Sequence, residues 1–125
     1  MKSNLRILFV DDEKDILEIF EMLLTMDGHD VVCATNYHDA LAQVQAHDFD
    51  VVITDYRMPK MHGIYLLDMI KDSRPDLPVI IISAYQTDEM MADASRKGAD
   101  LVIEKPFDYE VLMEGIQKLM AKAGK

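Results

Sequence analysis

The sequence has few cysteines, few basic residues and no long apolar run. Cys33 is the single cysteine among 125 residues, which excludes a disulfide framework and a thiolate metal cluster. No apolar run approaches the roughly 20 residues that span a bilayer. The residues after Met1 lack the apolar core of a signal peptide. We therefore expect a cytoplasmic protein.

Basic residues are few compared with acidic ones. The chain has 13 lysines and arginines against 23 aspartates and glutamates, for a formal net charge of −10. A surface of this sign repels the phosphate backbone of nucleic acids and the anionic face of a membrane. We therefore expect neither nucleic acid nor membrane to be a direct partner.

Apolar residues, by contrast, make up 50% of the chain, enough for the core of one domain over residues 1–125. Short apolar runs recur along the sequence, and Val51-Val52-Ile53 is apolar on both faces, as a central strand of a parallel sheet should be. The pattern predicts five strands, over residues 5–10, 30–34, 49–54, 78–82 and 101–103.

Between and after these runs, apolar residues at helical spacing predict five helices. The predicted N-terminal caps are Asp12 or Glu13, Thr35 or Asn36, and Asp108. The fourth helix, over residues 87–97, has the shortest apolar stripe, namely Met90, Met91 and Ala94. The residues expected to face inward from the last helix are Val111, Leu112, Ile116, Leu119 and Met120. Such alternation predicts an α/β fold with a parallel sheet and helices on both faces.

Chemically active residues follow the predicted strands. Asp11 and Asp12 follow the first strand, Asp55 the third, Ser83 the fourth and Lys105 the fifth. The carboxyl ends of parallel strands share one edge, where α/β sheets bind ligands. Carboxylates crowded there raise one another's pKa unless a cation lies among them, and Mg²⁺ prefers such oxygen ligands. We therefore expect a magnesium site at which the Asp55 carboxylate attacks phosphorus.

Four sequence motifs occur in order along the whole chain. They are Asp11-Asp12, the stretch from Asp55 through Met58-Pro59 and Met61 to Gly63, Ser83-Ala84, and Lys105-Pro106-Phe107. Together they resemble the receiver domain of two-component response regulators. The resemblance implies a flavodoxin-like (βα)5 three-layer sandwich with strand order 2-1-3-4-5.

The resemblance also implies a role for each matching residue. Asp55 would accept a phosphoryl group from the phosphohistidine of a histidine kinase or phosphotransfer protein. Asp12, Asp55 and the backbone carbonyl of Arg57 would ligate Mg²⁺, and Asp11 would act through water. Lys105 would pair with the phosphoryl oxygens, and Ser83 would donate a hydrogen bond to one of them. The Lys105–Pro106 bond would be cis.

The fourth helix is the expected moving part, because its short apolar stripe gives it little packing energy. An output domain or target protein, or a second copy in a homodimer, would contact the surface of the fourth helix, fifth strand and fifth helix. The chain would be modified rather than act as a turnover enzyme. Members of this family usually carry an aromatic residue three positions before the lysine, where this chain has Val102. Val102 is too short for the usual aromatic rotamer switch.

Three other functions compete with this interpretation. An aspartyl-phosphate phosphatase usually has two acids spaced two residues apart after the first strand, whereas here the isolated acid, Asp55, follows the third. A flavin carrier needs a hydroxyl-rich phosphate loop where this chain has Asp11-Asp12-Glu13. A pseudo-receiver would bind proteins without being phosphorylated, although the required side chains are present.

Overall fold

The computed structural model describes residues 4–57, 63–84 and 86–124. Within them, five β-strands alternate with five α-helices, so that the βα unit occurs five times. The elements are β1 (Arg6–Val10), α1 (Lys14–Met26), β2 (Asp30–Ala34), α2 (Tyr37–Ala46), β3 (Val51–Asp55), α3 (Gly63–Ser73), β4 (Val79–Ser83), α4 (Asp88–Arg96), β5 (Leu101–Glu104) and α5 (Tyr109–Lys122).

The strands form one parallel sheet in the order β2-β1-β3-β4-β5. This order confirms the flavodoxin-like α/β fold. The predicted third and fourth strands began too early, since Phe49 and Pro78 precede β3 and β4. Both strands instead continue one residue further, so that Asp55 and Ser83 are their last residues.

Alternation along the strands divides the core between the two faces of the sheet. Leu8, Val52 and Ile81 belong to a cluster with the buried residues of α2, α3 and α4. Ile53 and Ile80 point the other way, into a cluster with α1 and α5. Because both faces are covered, β3 and β4 are buried along their whole length, and the sheet is a rigid base for what stands at its carboxyl edge.

Side-chain helix caps agree with the sequence at two of the three predicted places. Side chains of Asn36 and Asp108 accept hydrogen bonds from the first turns of α2 and α5. The side chain of Thr87, which was not predicted as a cap, does the same for α4. At α1, Glu13 is the N-cap residue, one of the two predicted, but its side chain makes no cap hydrogen bond. Instead Asp11 Oδ1 accepts a hydrogen bond from Glu13 N at 2.9 Å.

Two residues predicted to face inward do not. Met91 of α4 is 38% exposed and Val111 of α5 is 44% exposed. Met91 follows the buried Met90, and Val111 precedes the buried Leu112. Adjacent helical residues point about 100° apart, so the two exposed side chains face away from the core. The buried part of α4 is therefore Met90 and Ala94 alone. Across the described residues, we find no helix with the length and apolar character needed to cross a membrane.

Candidate functional site

The four strands that carry candidate residues end side by side at the carboxyl edge of the sheet. Val10, just before Asp11, lies beside Thr54, just before Asp55. On the other side of β3, Asp55 is the register partner of Ile82. Ser83 in turn lies beside Glu104, which precedes Lys105. Residues 94 positions apart in the chain are thereby brought into contact.

Three carboxylates gather at this edge. Asp11, Asp12 and Asp55 can each contribute an oxygen so that all three oxygens lie within 4.8 Å of one another. Asp11 is completely buried and Asp55 is 6% exposed, whereas Asp12 is exposed to solvent. The cluster therefore has a closed inner side and an open outer side.

Lys105 lies among these acids. Its Nζ atom is 3.2 Å from Asp55 Oδ2, 3.4 Å from Asp11 Oδ2 and 3.6 Å from Glu13 Oε1. The backbone N–H of Lys105 donates to Ser83 O at 2.8 Å, which anchors the lysine to the end of β4. The Lys105–Pro106 peptide bond is cis, as the resemblance implied.

Burial and charge shift the pKa values of these groups. Burial raises the pKa of Asp11 from 3.8 to about 6; the hydrogen bond from Glu13 N opposes this rise, and the nearby Asp55 charge adds to it. Burial also raises the pKa of Asp55, against the lowering effect of Lys105. For Lys105, burial lowers the pKa, but the charges of Asp11 and Asp55 outweigh it, so the pKa rises and the amine stays protonated.

One ammonium thus faces several carboxylates across a cavity of about 290 Å³. Besides Asp12, Asp55 and Lys105, the cavity is lined by Glu13, Tyr56, Arg57, Ser83 and Ala84. Among the residues that the structure describes, the donor set is oxygen, without histidine or thiolate, and it carries an excess of negative charge. These properties fit a hard divalent cation such as Mg²⁺, which takes one or two carboxylates and keeps several waters.

The connection from β3 to α3 is built closely around Asp55. Arg57 N donates to Asp55 Oδ1 at 3.4 Å, and Gly63 N donates to Tyr56 O at 2.7 Å. A Cβ atom on Gly63 would stand 2.2 Å from the backbone oxygen of Asp55, so only glycine fits there. Of the predicted motif, Met58, Pro59 and Met61 lie outside the described residues.

The structure therefore brings together every site residue that the sequence singled out: Asp11, Asp12, Asp55, Arg57, Ser83 and Lys105. Glu13 also belongs to the site, through its contact with Lys105, and was not predicted as a site residue. Its position as a third consecutive acid after β1 was the available signal.

Comparison with known proteins decides what kind of site this is. The family model of the response regulator receiver domain matches residues 7–117. The chain belongs to the response regulator receiver family. It is thus a receiver domain of two-component signal transduction.

Known receivers resemble this one in sequence and in structure. Transcriptional regulatory protein ZraR of Salmonella typhimurium is 37% identical over 121 residues, which are 97% of this chain and 27% of that protein. DNA-binding transcriptional regulator NtrC of Rhizobium meliloti is 37% identical over 116 residues, 93% of this chain and 24% of that protein. The receiver spans about a quarter of the length of these curated relatives.

Among solved structures, a CheY-like receiver domain protein from Methanospirillum hungatei JF-1 superposes with a TM-score of 0.93 at 30% identity, covering 98% of both chains. Response regulator TrrA from Thermotoga maritima, solved in complex with Mg²⁺ and BeF, gives a TM-score of 0.81 at 32% identity, covering 91% of this chain and 97% of that one.

Proposed function

We propose that Asp55 accepts a phosphoryl group from the phosphohistidine of a histidine kinase or phosphotransfer protein. A carboxylate oxygen of Asp55 attacks phosphorus, the phosphorus–nitrogen bond breaks, and the imidazole leaves with the bonding electron pair. The product is an aspartyl phosphate. The observation that carries this proposal is the contact of Asp55 Oδ2 with Lys105 Nζ at 3.2 Å, at the wall of an open cavity.

Mg²⁺ is the proposed cofactor. Asp12, Asp55 and the backbone carbonyl of Arg57 would hold it directly, and Asp11 would hold it through water. The cation would neutralise charge on the transferred group and among the acids. Support comes from the oxygen cluster, from the raised pKa values of Asp11 and Asp55, and from the related TrrA, which was crystallised with Mg²⁺ and BeF.

Lys105 and Ser83 complete the proposed acceptor site. The ammonium of Lys105 would leave its carboxylate partners to pair with a phosphoryl oxygen, and Ser83 Oγ would donate a hydrogen bond to another. Both side chains line the same cavity as Asp55. Lys105 exchanges no proton during transfer, because its raised pKa keeps the amine charged.

The wider role of the receiver is also a proposal. It would be one cytoplasmic domain over residues 1–125 that is modified rather than turning over substrate. It would signal to an output domain or target protein, or to a second copy of itself, through the surface of α4, β5 and α5. Val102 of β5 is partly buried against the cluster of α2, α3 and α4, and a valine cannot supply the aromatic rotamer switch that is usual at this position.

Intact-protein mass spectrometry tests the acceptor. With Mg²⁺ and acetyl phosphate, the wild type should gain one phosphoryl group, which Asp55→Asn and addition of EDTA should both abolish. Asp50→Asn is the matched control, since Asp50 is also buried and lies just before β3 at the opposite edge of the sheet. This control should be modified like the wild type.

Two results would contradict the proposal. Absence of any phosphoryl adduct on the wild type would indicate a pseudo-receiver. Sustained turnover of a generic phosphate ester would instead indicate a phosphatase.

A further inference from the structure

Three phenylalanine rings form a continuous stack on the α1 and α5 side of the sheet. The rings of Phe9 and Phe20 have centroids 5.7 Å apart and planes inclined by 17°. The rings of Phe20 and Phe107 have centroids 5.1 Å apart and planes inclined by 23°. Both separations lie in the range of favourable aromatic pairs.

The stack connects the segment that carries the negative charge of Asp11 to the segment that carries the positive charge of Lys105. Phe9 lies in β1, two residues before Asp11, and Phe107 lies two residues after Lys105. Phe20, on α1, stands between them. The segment that joins β5 to the cap residue Asp108 consists of residues 105–107 alone, so a displacement of Phe107 is passed directly to the backbone of Lys105.

A second contact holds the same segment against α1. Tyr109, in the first turn of α5, donates its hydroxyl to Asp27 Oδ2 at 2.5 Å and lies 3.3 Å from Leu23 O. On the other side, Lys105 N is held by Ser83 O. The backbone around Lys105 is therefore held between β4 and α1, and the Phe20–Phe107 pair is one of the contacts on the α1 side.

We propose that Phe20 and Phe107 are positioning residues, whose stacked rings fix the backbone of Lys105 so that its ammonium stays at the Asp55 end of the cavity, where phosphoryl transfer needs it. The inference deepens the proposed function and depends on it for its kinetic test. Lysine has a long, flexible stem, so its charge is placed well only if its backbone is fixed. Small displacements of a charged group cost rate, because transfer depends on geometry and electrostatics.

The first test compares rates of phosphorylation at saturating Mg²⁺ and acetyl phosphate, per folded molecule. Phe20→Leu and Phe107→Leu, which remain apolar but lose the ring pair, should each slow the reaction roughly tenfold. Phe49→Leu is the matched control, because Phe49 is buried in the cluster on the opposite face of the sheet. It should lose stability without losing rate. Equal rates for all three variants and the wild type would overturn the proposal.

The second test asks whether the stack acts through Lys105. In a Lys105→Ala background, adding Phe20→Leu or Phe107→Leu should slow the reaction no further, since the positioned group is already gone. A second full decrease would show that the stack acts by another route. Two separate ring variants keep this test available if one of them fails to fold.

The third test does not need phosphorylation. A crystal structure of Phe107→Leu should show Lys105 Nζ moved away from Asp55 Oδ2, from the present 3.2 Å, and an unchanged distance would contradict positioning. If the wild type takes up no phosphoryl group, or if Lys105→Ala does not slow phosphorylation, the proposed function fails instead. The position of Lys105 Nζ in the Phe107→Leu structure then tests the positioning by itself.

Discussion

At the scale of single residues, the acidic site costs the receiver stability when no cation offsets its charge. Asp11 is completely buried, and its neighbours include two further carboxylates within 4.8 Å. Lys105 compensates only part of that charge. The carboxylates of the proposed phosphoryl site therefore oppose folding, and the free-energy cost can be measured.

Asp11→Asn should stabilise the metal-free receiver at pH 7.5 by about 1–3 kcal/mol. Burial raises the pKa of Asp11 from 3.8 in the unfolded chain to about 6 in the folded one, so the folded state binds the proton more tightly. The cost is fully present above pH 6 and disappears as the pH falls to 3.8. Asparagine carries no charge and can still accept the hydrogen bond from Glu13 N.

Urea unfolding in EDTA at pH 7.5 and at pH 4.5 measures this difference. The gain from Asp11→Asn should be large at the higher pH and small at the lower. Asp76→Asn, at an exposed loop position, is the control and should change the free energy of unfolding by less than about 0.5 kcal/mol. A gain that does not depend on pH would refute the assignment to Asp11 ionisation.

At the scale of elements, the two edges of the sheet are built differently. The carboxyl edge carries like charges around a cavity, whereas part of the opposite edge is closed by a hydrogen-bonded lysine. Lys71 Nζ, at the end of α3, donates to Leu77 O at 2.8 Å and to Asp100 Oδ2 at 2.8 Å. That same carboxylate oxygen accepts from Val79 N at 2.8 Å. One side chain thereby joins α3, the start of β4 and the turn before β5.

Lys71→Met should lower the free energy of unfolding by about 1–3 kcal/mol, since methionine keeps the apolar stem but removes the donor to Leu77 O and the charged partner of Asp100. Urea unfolding measures the loss, and phosphorylation of Asp55 should be retained because the site lies at the other edge. Lys97→Met is the control. Lys97 is more exposed and makes one long contact, 3.4 Å, to Asp68, worth at most about 1 kcal/mol. Equal losses in the two variants would contradict the role of Lys71.

At the scale of the whole molecule, stability is unevenly distributed. The strands β3 and β4 are buried along their length, whereas α4 buries only Met90 and Ala94. The segment after Ser83 leads directly into α4, so a phosphoryl group bound by Ser83 would act on an element with little packing of its own. Switching elements are generally found among such weakly packed regions.

Hydrogen exchange should therefore change in α4 on phosphorylation, and much less elsewhere. The helix α2 is the internal control, because it also buries two residues and is capped by an asparagine, but follows β2, whose end carries no site residue. Mass spectrometry of peptides from the receiver, with and without acetyl phosphate and Mg²⁺, makes the comparison. Unchanged exchange in α4, or equal changes in α2 and α4, would contradict α4 as the moving element.

Local patterns in the sequence were enough to predict the alternating strands and helices, because side-chain periodicity reports burial within one element. They were also enough to place Asp11, Asp55, Ser83 and Lys105 at one edge, since parallel strands end together. The strand order came only from the family resemblance. Boundaries shifted by a residue or two at β3 and β4, where Phe49 and Pro78 are apolar and buried but lie just before the strands.

Tertiary structure decided what depends on contacts between distant parts of the chain. Asp11, and not Asp12 or Glu13, satisfies the start of α1, and Met91 and Val111 lie exposed because packing selects only part of an apolar stripe. The Phe20–Phe107 pair and the Lys71 network join residues separated by 87 and 29 positions. Periodicity carries no information on such pairs, because it describes which side of an element is buried and not which partner lies there.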